Sequence, residues 1–216
     1  MAGRTRGEQV GATREALLVA AERLFAERGV HAVSHRQISE AAGQGNNAAV
    51  GYHFGTKIEL VRAIIRRHAE RMEGIRTRML AEIHASSDLR DWVTCSVRPV
   101  TGHLEALGTP SWYARFIAQL TADPVLHAIA AAEFFAAAPS LRRAQDGLNR
   151  CLPDLPAEVH GERAAMTRHL ITQMCAERER ALADGAAASR ATWHDTGTGL
   201  IDAIVALWQA PVTCER

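Results

Sequence analysis

The side chains best suited to chemistry lie between Ser34 and Lys57, a run of small, polar and basic residues. Asn46 and Asn47 carry amides that can pair bidentately with adenine N6 and N7, and the Ala48 methyl can touch a thymine methyl. Gly51 removes a side chain where a helix could approach a duplex closely, and Tyr52 and His53 can bond to phosphates. Arg36 and Lys57 add positive charge, and helices starting after Ser34 and Thr56 would present free backbone N–H groups to phosphate. The candidate contacts are therefore Ser34, Arg36, Gln37, Gly45, Asn46, Asn47, Ala48, Gly51, Tyr52, His53 and Lys57. Gln37, Ser39 and Asn46 could equally cap a helix or face water.

These residues need a scaffold, and the punctuation of the sequence supplies one. Ser34 with Gln37 three residues later forms a capping box and opens a helix to Ala42, with Ile38 and Ala41 on its buried side and Gly43 to end it. A short helix over 46–53 follows. Ile38, Ala42 and Val50 can pack the two together, which makes a helix-turn-helix. The preceding helix is expected from Thr13 as N-cap to Gly29, burying Leu17, Ala20, Ala21, Leu24 and Phe25, with residues 1–10 a loose arm. Thr56 with Glu59 repeats the capping-box pattern and opens a long helix to about His84. Its inner face carries Leu60, Val61, Ile64, Ile65, His68, Met72, Ile75 and Met79.

Beyond it, apolar spacing of three and four dominates and alternating β-branched runs are almost absent, so the fold class is all-α. Five further helices are expected. One runs from Asp88 to Leu107 and is kinked or split at Pro99. Thr109-Pro110 and Asp123-Pro124 each read as an N-cap followed by proline at the first helical position. The segment Pro124–Cys151 is bent or broken at Pro139. The last two helices span about Ala157–Ala183 and Ser189–Gln209, separated by the Asp184-Gly185 stop. The resulting division is a compact N-terminal domain over 1–60 and a helical remainder over 61–216.

Charge supports contact with nucleic acid at one end. Residues 1–80 hold 13 Arg and Lys against 8 Asp and Glu, whereas the remainder holds 12 against 16. The four cysteines, Cys95, Cys151, Cys175 and Cys214, are scattered without C-x-x-C spacing, which argues against zinc ribbons and disulfide frameworks. No apolar run reaches the ~20 residues a bilayer span needs, and no signal-peptide core is present, so a cytoplasmic location without membrane contact is the expectation. No metal site or cofactor is implied. An enzyme is not supported: ten histidines invite a triad, yet there is no nucleophile elbow, phosphate loop or H-E-x-x-H. Glu177, Arg178, Glu179 and Arg180 read as a solvated helix face.

Three stretches of the sequence resemble the N-terminal domain of the tetracycline-repressor (TetR) family of bacterial regulators. They are Ala20-Ala21-Glu22-Arg23-Leu24-Phe25-Ala26-Glu27-Arg28-Gly29, Ile38-Ser39-Glu40-Ala41-Ala42-Gly43, and Tyr52-His53-Phe54-Gly55-Thr56-Lys57-Ile58-Glu59-Leu60. The turn Gly43-Gln44-Gly45-Asn46-Asn47 is one residue longer than the usual family turn and is similar to a subgroup with Gln-x-Asn-Asn, which leaves open which of Gly45, Asn46 and Asn47 faces a base. The resemblance implies a homodimeric repressor on a palindromic double-stranded operator, released when a small molecule in the helical body moves the connecting helix over 57–84.

On that reading Met166, Leu170, Met174, Trp193, Leu200, Ile201, Ile204 and Trp208 form the dimer interface, with Gly197 and Gly199 allowing close helix approach. Periodicity alone fits core packing within one subunit almost as well. Candidates to line an effector cavity are Met72, Met79, Trp92, His103, Trp112, Phe116, Phe134, Met166 and His169, which suggest a hydrophobic or aromatic ligand. Such residues at helical spacing more often form plain core. The alternative is a DNA-binding regulator or architectural protein with no small-molecule effector.

Overall fold

The computed structural model describes residues 6–83, 86–186 and 192–212. Ten helices and no strand occur among them: α1 (Arg6–Arg28), α2 (His35–Ala41), α3 (Ala49–Phe54), α4 (Lys57–Ile83), α5 (Leu89–Leu107), α6 (Tyr113–Thr121), α7 (Pro124–Ala137), α8 (Pro139–Arg150), α9 (Ala157–Ala183) and α10 (Trp193–Gln209). No single helix among the described residues is long and apolar enough to cross a membrane.

α1 starts earlier than its sequence suggests. Residues 6–10, expected in a loose arm, are already helical, and Thr13 lies inside the helix instead of capping it. Nothing between Arg6 and Thr13 forbids helix, since glycine weakens it without breaking it. α1 places Leu17, Ala21, Leu24 and Phe25 in the core, and Phe25 stacks on Phe116 of α6 with ring centroids 6.1 Å apart. α1 also packs against α2 and α4.

α4 runs without interruption from the α1–α3 cluster into the rest of the chain, where it packs on α5, α7 and α8. A buried polar chain ties these parts together. Glu22 of α1 meets His68 Nε2 of α4 at 2.8 Å, and His68 Nδ1 meets His103 Nε2 of α5 at 2.7 Å. The Tyr113 ring of α6 stacks on His68 at 3.9 Å. Glu22, His68 and His103 therefore each have a partner, as burial of polar atoms requires.

The later helices depart from expectation where tertiary contacts intervene. α5 stays one helix through Pro99. Thr109-Pro110 is a cis peptide in the loop before α6, whose N-cap is Trp112, so that pair does not start a helix. Asp123 does cap α7, its Oδ1 accepting from Val125 N at 2.8 Å and Leu126 N at 3.0 Å. The break at Pro139 turns α7 into α8 through 96°. α10 is opened by a Thr192/Asp195 capping box, and the expected start at Ser189 lies outside the described residues.

The Glu177–Arg180 face is not wholly solvated: Arg178 and Glu179 are buried. Glu179 reaches the first turn of α6 and accepts from Ser111 Oγ (2.8 Å), Ala114 N (3.2 Å) and Arg115 N (2.9 Å), while Arg115 Nε lies 3.2 Å away. A carboxylate there satisfies orphan N–H groups and meets the positive end of the helix dipole.

Candidate nucleic-acid interface and interior cavity

The capping box at Ser34 is formed: Gln37 N donates to Ser34 Oγ at 3.2 Å and Ser34 N donates to Gln37 Oε1 at 2.8 Å. Gln37 is thus committed to the cap within the chain. Arg36 is exposed and pairs with Glu40 one turn on at 2.7 Å. The buried side of α2 is Ile38 and Ser39, not Ile38 and Ala41, which faces solvent. Gly43 ends α2 with φ +67, a left-handed conformation that favours glycine.

The next helix starts later than the expected Asn46. Asn46 and Asn47 stand in the turn before α3, which begins at Ala49 after an N-cap at Ala48. The Asn46 side chain is occupied locally, its Oδ1 accepting from Ala48 N at 2.9 Å. An Asx-type turn of this kind competes with helix and explains the shift. Asn47 and Ala48 are left exposed. α3 buries Ala49, Val50 and Phe54 and turns Gly51 and Tyr52 outward, with Tyr52 79% exposed. A Cβ on Gly51 would meet nothing within 4 Å, and the same holds for Gly45, so no contact inside the chain demands glycine at either place. His53 is half-buried against Tyr52, with ring centroids 5.0 Å apart.

After Gly55 (φ +71), Thr56 Oγ1 accepts from Glu59 N at 3.2 Å, while the Glu59 carboxylate pairs with Arg62 and leaves the expected box half made. Lys57 Nζ donates to the Val30 carbonyl at 3.0 Å. Gly45, Asn47, Ala48, Gly51 and Tyr52 are exposed on this turn and helix, as are Ser34 and Arg36, while His53 and Lys57 are half-buried.

The second feature is a cavity of about 430 Å³, partly open to solvent and lined by α4–α10, within the range of ligand pockets. Of the expected lining residues it brings together Met72, Phe134, the neighbouring Phe135, which apolar spacing also offers, and His169. Met79, Trp92, His103, Trp112, Phe116 and Met166 do not line it. Trp92 packs on α8 so tightly that a Cβ on Gly147 would lie 2.1 Å from its ring. Phe116 is fully buried against Phe25, His103 is held by His68, and Met166 faces outward, 48% exposed. Sequence reasoning missed Arg76, Tyr113, His127 and Thr167 on the wall. Helical spacing places Arg76 beside Met72, which is the available signal for it. Burial is the main cause that lowers the His103 pKa to about 4, with His68, Arg71 and Arg67 adding to it. Cys95, Cys151 and Cys175 are free thiols, and burial pushes Cys175, on the cavity wall, up to about 12.

The α10 stripe faces inward. Trp193, Leu200, Ile201, Ile204 and Trp208 are buried in the same chain, where α10 packs along α5. Gly197 does permit close approach, but to Arg98 and Thr101 of α5. Of the residues expected at a dimer contact, Met166 and Met174 are exposed and Leu170 is half-buried, all on α9.

A capped helix, a glycine-bearing turn and a second helix, followed by seven further helices among the described residues, place the chain in the helix-turn-helix class. Residues 17–64 match the model of the bacterial regulatory proteins of the tetR family. A TetR family transcription regulator from Marinobacter aquaeolei VT8 shares the fold with a TM-score of 0.58 at 18% identity, over 94% of this chain and 96% of its own. PfmR, a TetR family transcriptional regulator from Thermus thermophilus, does so with a TM-score of 0.54 at 16% identity, over 87% of this chain and 96% of its own. No curated protein matches the chain. The N-terminal segment is a tetR-family DNA-binding domain, and the chain as a whole has the fold of TetR family transcription regulators.

Proposed function

We propose that the protein is a ligand-released repressor that binds a palindromic operator as a homodimer. The division is a DNA-binding domain over 1–60 and an effector and dimer domain over 61–216. The observation that carries the reading is the outward surface of the turn and α3, where Asn47, Ala48, Gly51 and Tyr52 are exposed and nothing in the chain occupies the space before Gly51. On DNA, Asn47 and Ala48 meet base edges, and Gly45 and Gly51 let the backbone come close. Tyr52, His53, Lys57 and the first turn of α4 meet phosphates, with Ser34 and Arg36 at the edge. Asn46 and Gln37 hold the backbone of this surface through the hydrogen bonds they already make.

The coupling follows from α4. It begins beside this surface at Lys57 and places Met72 and Arg76 on the cavity wall, so a ligand that displaces its middle also tilts its start. The exposed Met166 and Met174 of α9 offer an apolar face to a second copy. Release requires that the effector prefer the tilted form, because equal affinity for both forms shifts nothing.

Fluorescence anisotropy with the protein's own upstream duplex tests this. Wild type binds with a steep loss of affinity as salt rises. Gly51→Leu folds with unchanged thermal stability, since its side chain enters open space, yet loses operator binding. Retained binding by a folded Gly51→Leu protein would remove α3 from the interface.

A further inference from the structure

The reading of the cavity as an effector site is the premise here, and the chemistry of its wall narrows the effector. Most of the wall is apolar, with Met72, Phe134, Phe135 and Leu141 among its residues. Its charged and titratable members are Arg76, Arg168, His127, His160, His169, Tyr113 and Cys175, and no Asp or Glu lines it. Arg76 is the buried cation, only 4% exposed. Its Nε donates to the Cys95 carbonyl at 3.1 Å, while Nη1 has no hydrogen-bond partner. The Glu73 carboxylate stands 3.7 Å from Nη1, and the N-terminus of α8 holds it, through Ser140 N at 3.0 Å and the Ser140 hydroxyl. Thr167 Oγ1, also on the wall, is buried without a partner.

A buried guanidinium with idle donors is costly unless something accepts from it. Its planar fork matches a carboxylate better than any other common group. A cationic ligand would meet Arg76 with no carboxylate on the wall to balance it, since Glu73 is already held by Arg76 and Ser140, and a neutral apolar ligand would leave the Nη1 donors without an acceptor. We propose that the effector is an anionic amphiphile, an apolar body bearing one carboxylate that seats on Arg76.

Three probes with one tail and different heads test this on the full-length protein at pH 7.5: decanoate, decan-1-ol and decyltrimethylammonium, each by calorimetry and thermal shift. Decanoate binds about tenfold or more tightly than decan-1-ol, and the ammonium binds weakest. Arg76→Gln reduces decanoate to the affinity of the alcohol, whereas Arg143→Gln, at an exposed α8 position off the wall, leaves the preference in place. The wild-type ranking decides the matter even if Arg76→Gln fails to fold. Equal binding of acid and alcohol, or a preference for the ammonium, overturns the carboxylate while leaving an apolar ligand site. Binding of none of the three defeats the effector site itself, and the carboxylate with it.

Discussion

The surface proposed to face DNA and the cavity handle polar groups in opposite ways. Around α2 and α3 the polar side chains close local caps, Gln37 on Ser34 and Asn46 on Ala48, and the outward edge is left nearly bare. Around the cavity the polar groups come from distant segments and some buried atoms make no hydrogen bond, Arg76 Nη1 and Thr167 Oγ1 among them. A surface that must fit a fixed partner gains from a rigid backbone with little projecting from it. An interior that must respond to a ligand gains from groups whose hydrogen bonds are incomplete until the ligand arrives.

The contrast can be broken most severely at its join. Phe116→Ala removes the ring that Phe25 stacks on and leaves a cavity between α1 and α6. It should cost about 3–5 kcal/mol in urea unfolding. A loss below about 1 kcal/mol would mean that α1 does not depend on α6.

Next in size is pH. The folded pKa of His103 is about 4, below the 6.5 of an unperturbed histidine. Between these values the unfolded chain binds the extra proton, so stability is full above pH 6.5 and falls as pH drops toward 4. The expected loss over that window is on the order of 3 kcal/mol. His103→Leu should flatten the slope, and an unchanged slope would locate the titration elsewhere.

On the DNA-facing side effects should appear in binding and leave stability within about 0.5 kcal/mol. Asn47→Ala should cost about 1–3 kcal/mol at particular operator positions and relax preference there. Equal loss on operator and random DNA would remove Asn47 from base reading. Lys57→Ala should have the smallest effect, weakening all duplexes alike and reducing the salt slope by about 1.

Features set by neighbours in sequence are legible from it. The Ser34/Gln37 box, the Asp123-Pro124 start, the break at Pro139 and the α9 stop each depend on a few adjacent residues. Features set by distant partners are not. Periodicity shows that one side of α10 is apolar but cannot say that α5 covers it. Glu179 reads as solvated because the donors it accepts from lie at the start of α6, more than sixty residues away. Spacing starts α3 three residues early because Asn46 prefers its own turn to the helix. The cavity residues Met72, Phe134 and Phe135 follow from apolar spacing, while Arg76 escapes it because a buried arginine defies the pattern that spacing reveals.

The most direct test of the account is selection of bound duplexes from a random pool by the full-length protein, at low and at physiological salt. The result expected is enrichment of a two-fold symmetric site, with half-sites about one helical turn apart or slightly more, lost by Gly51→Leu. No enriched sequence at either salt concentration, or the same site selected by Gly51→Leu, would contradict the account.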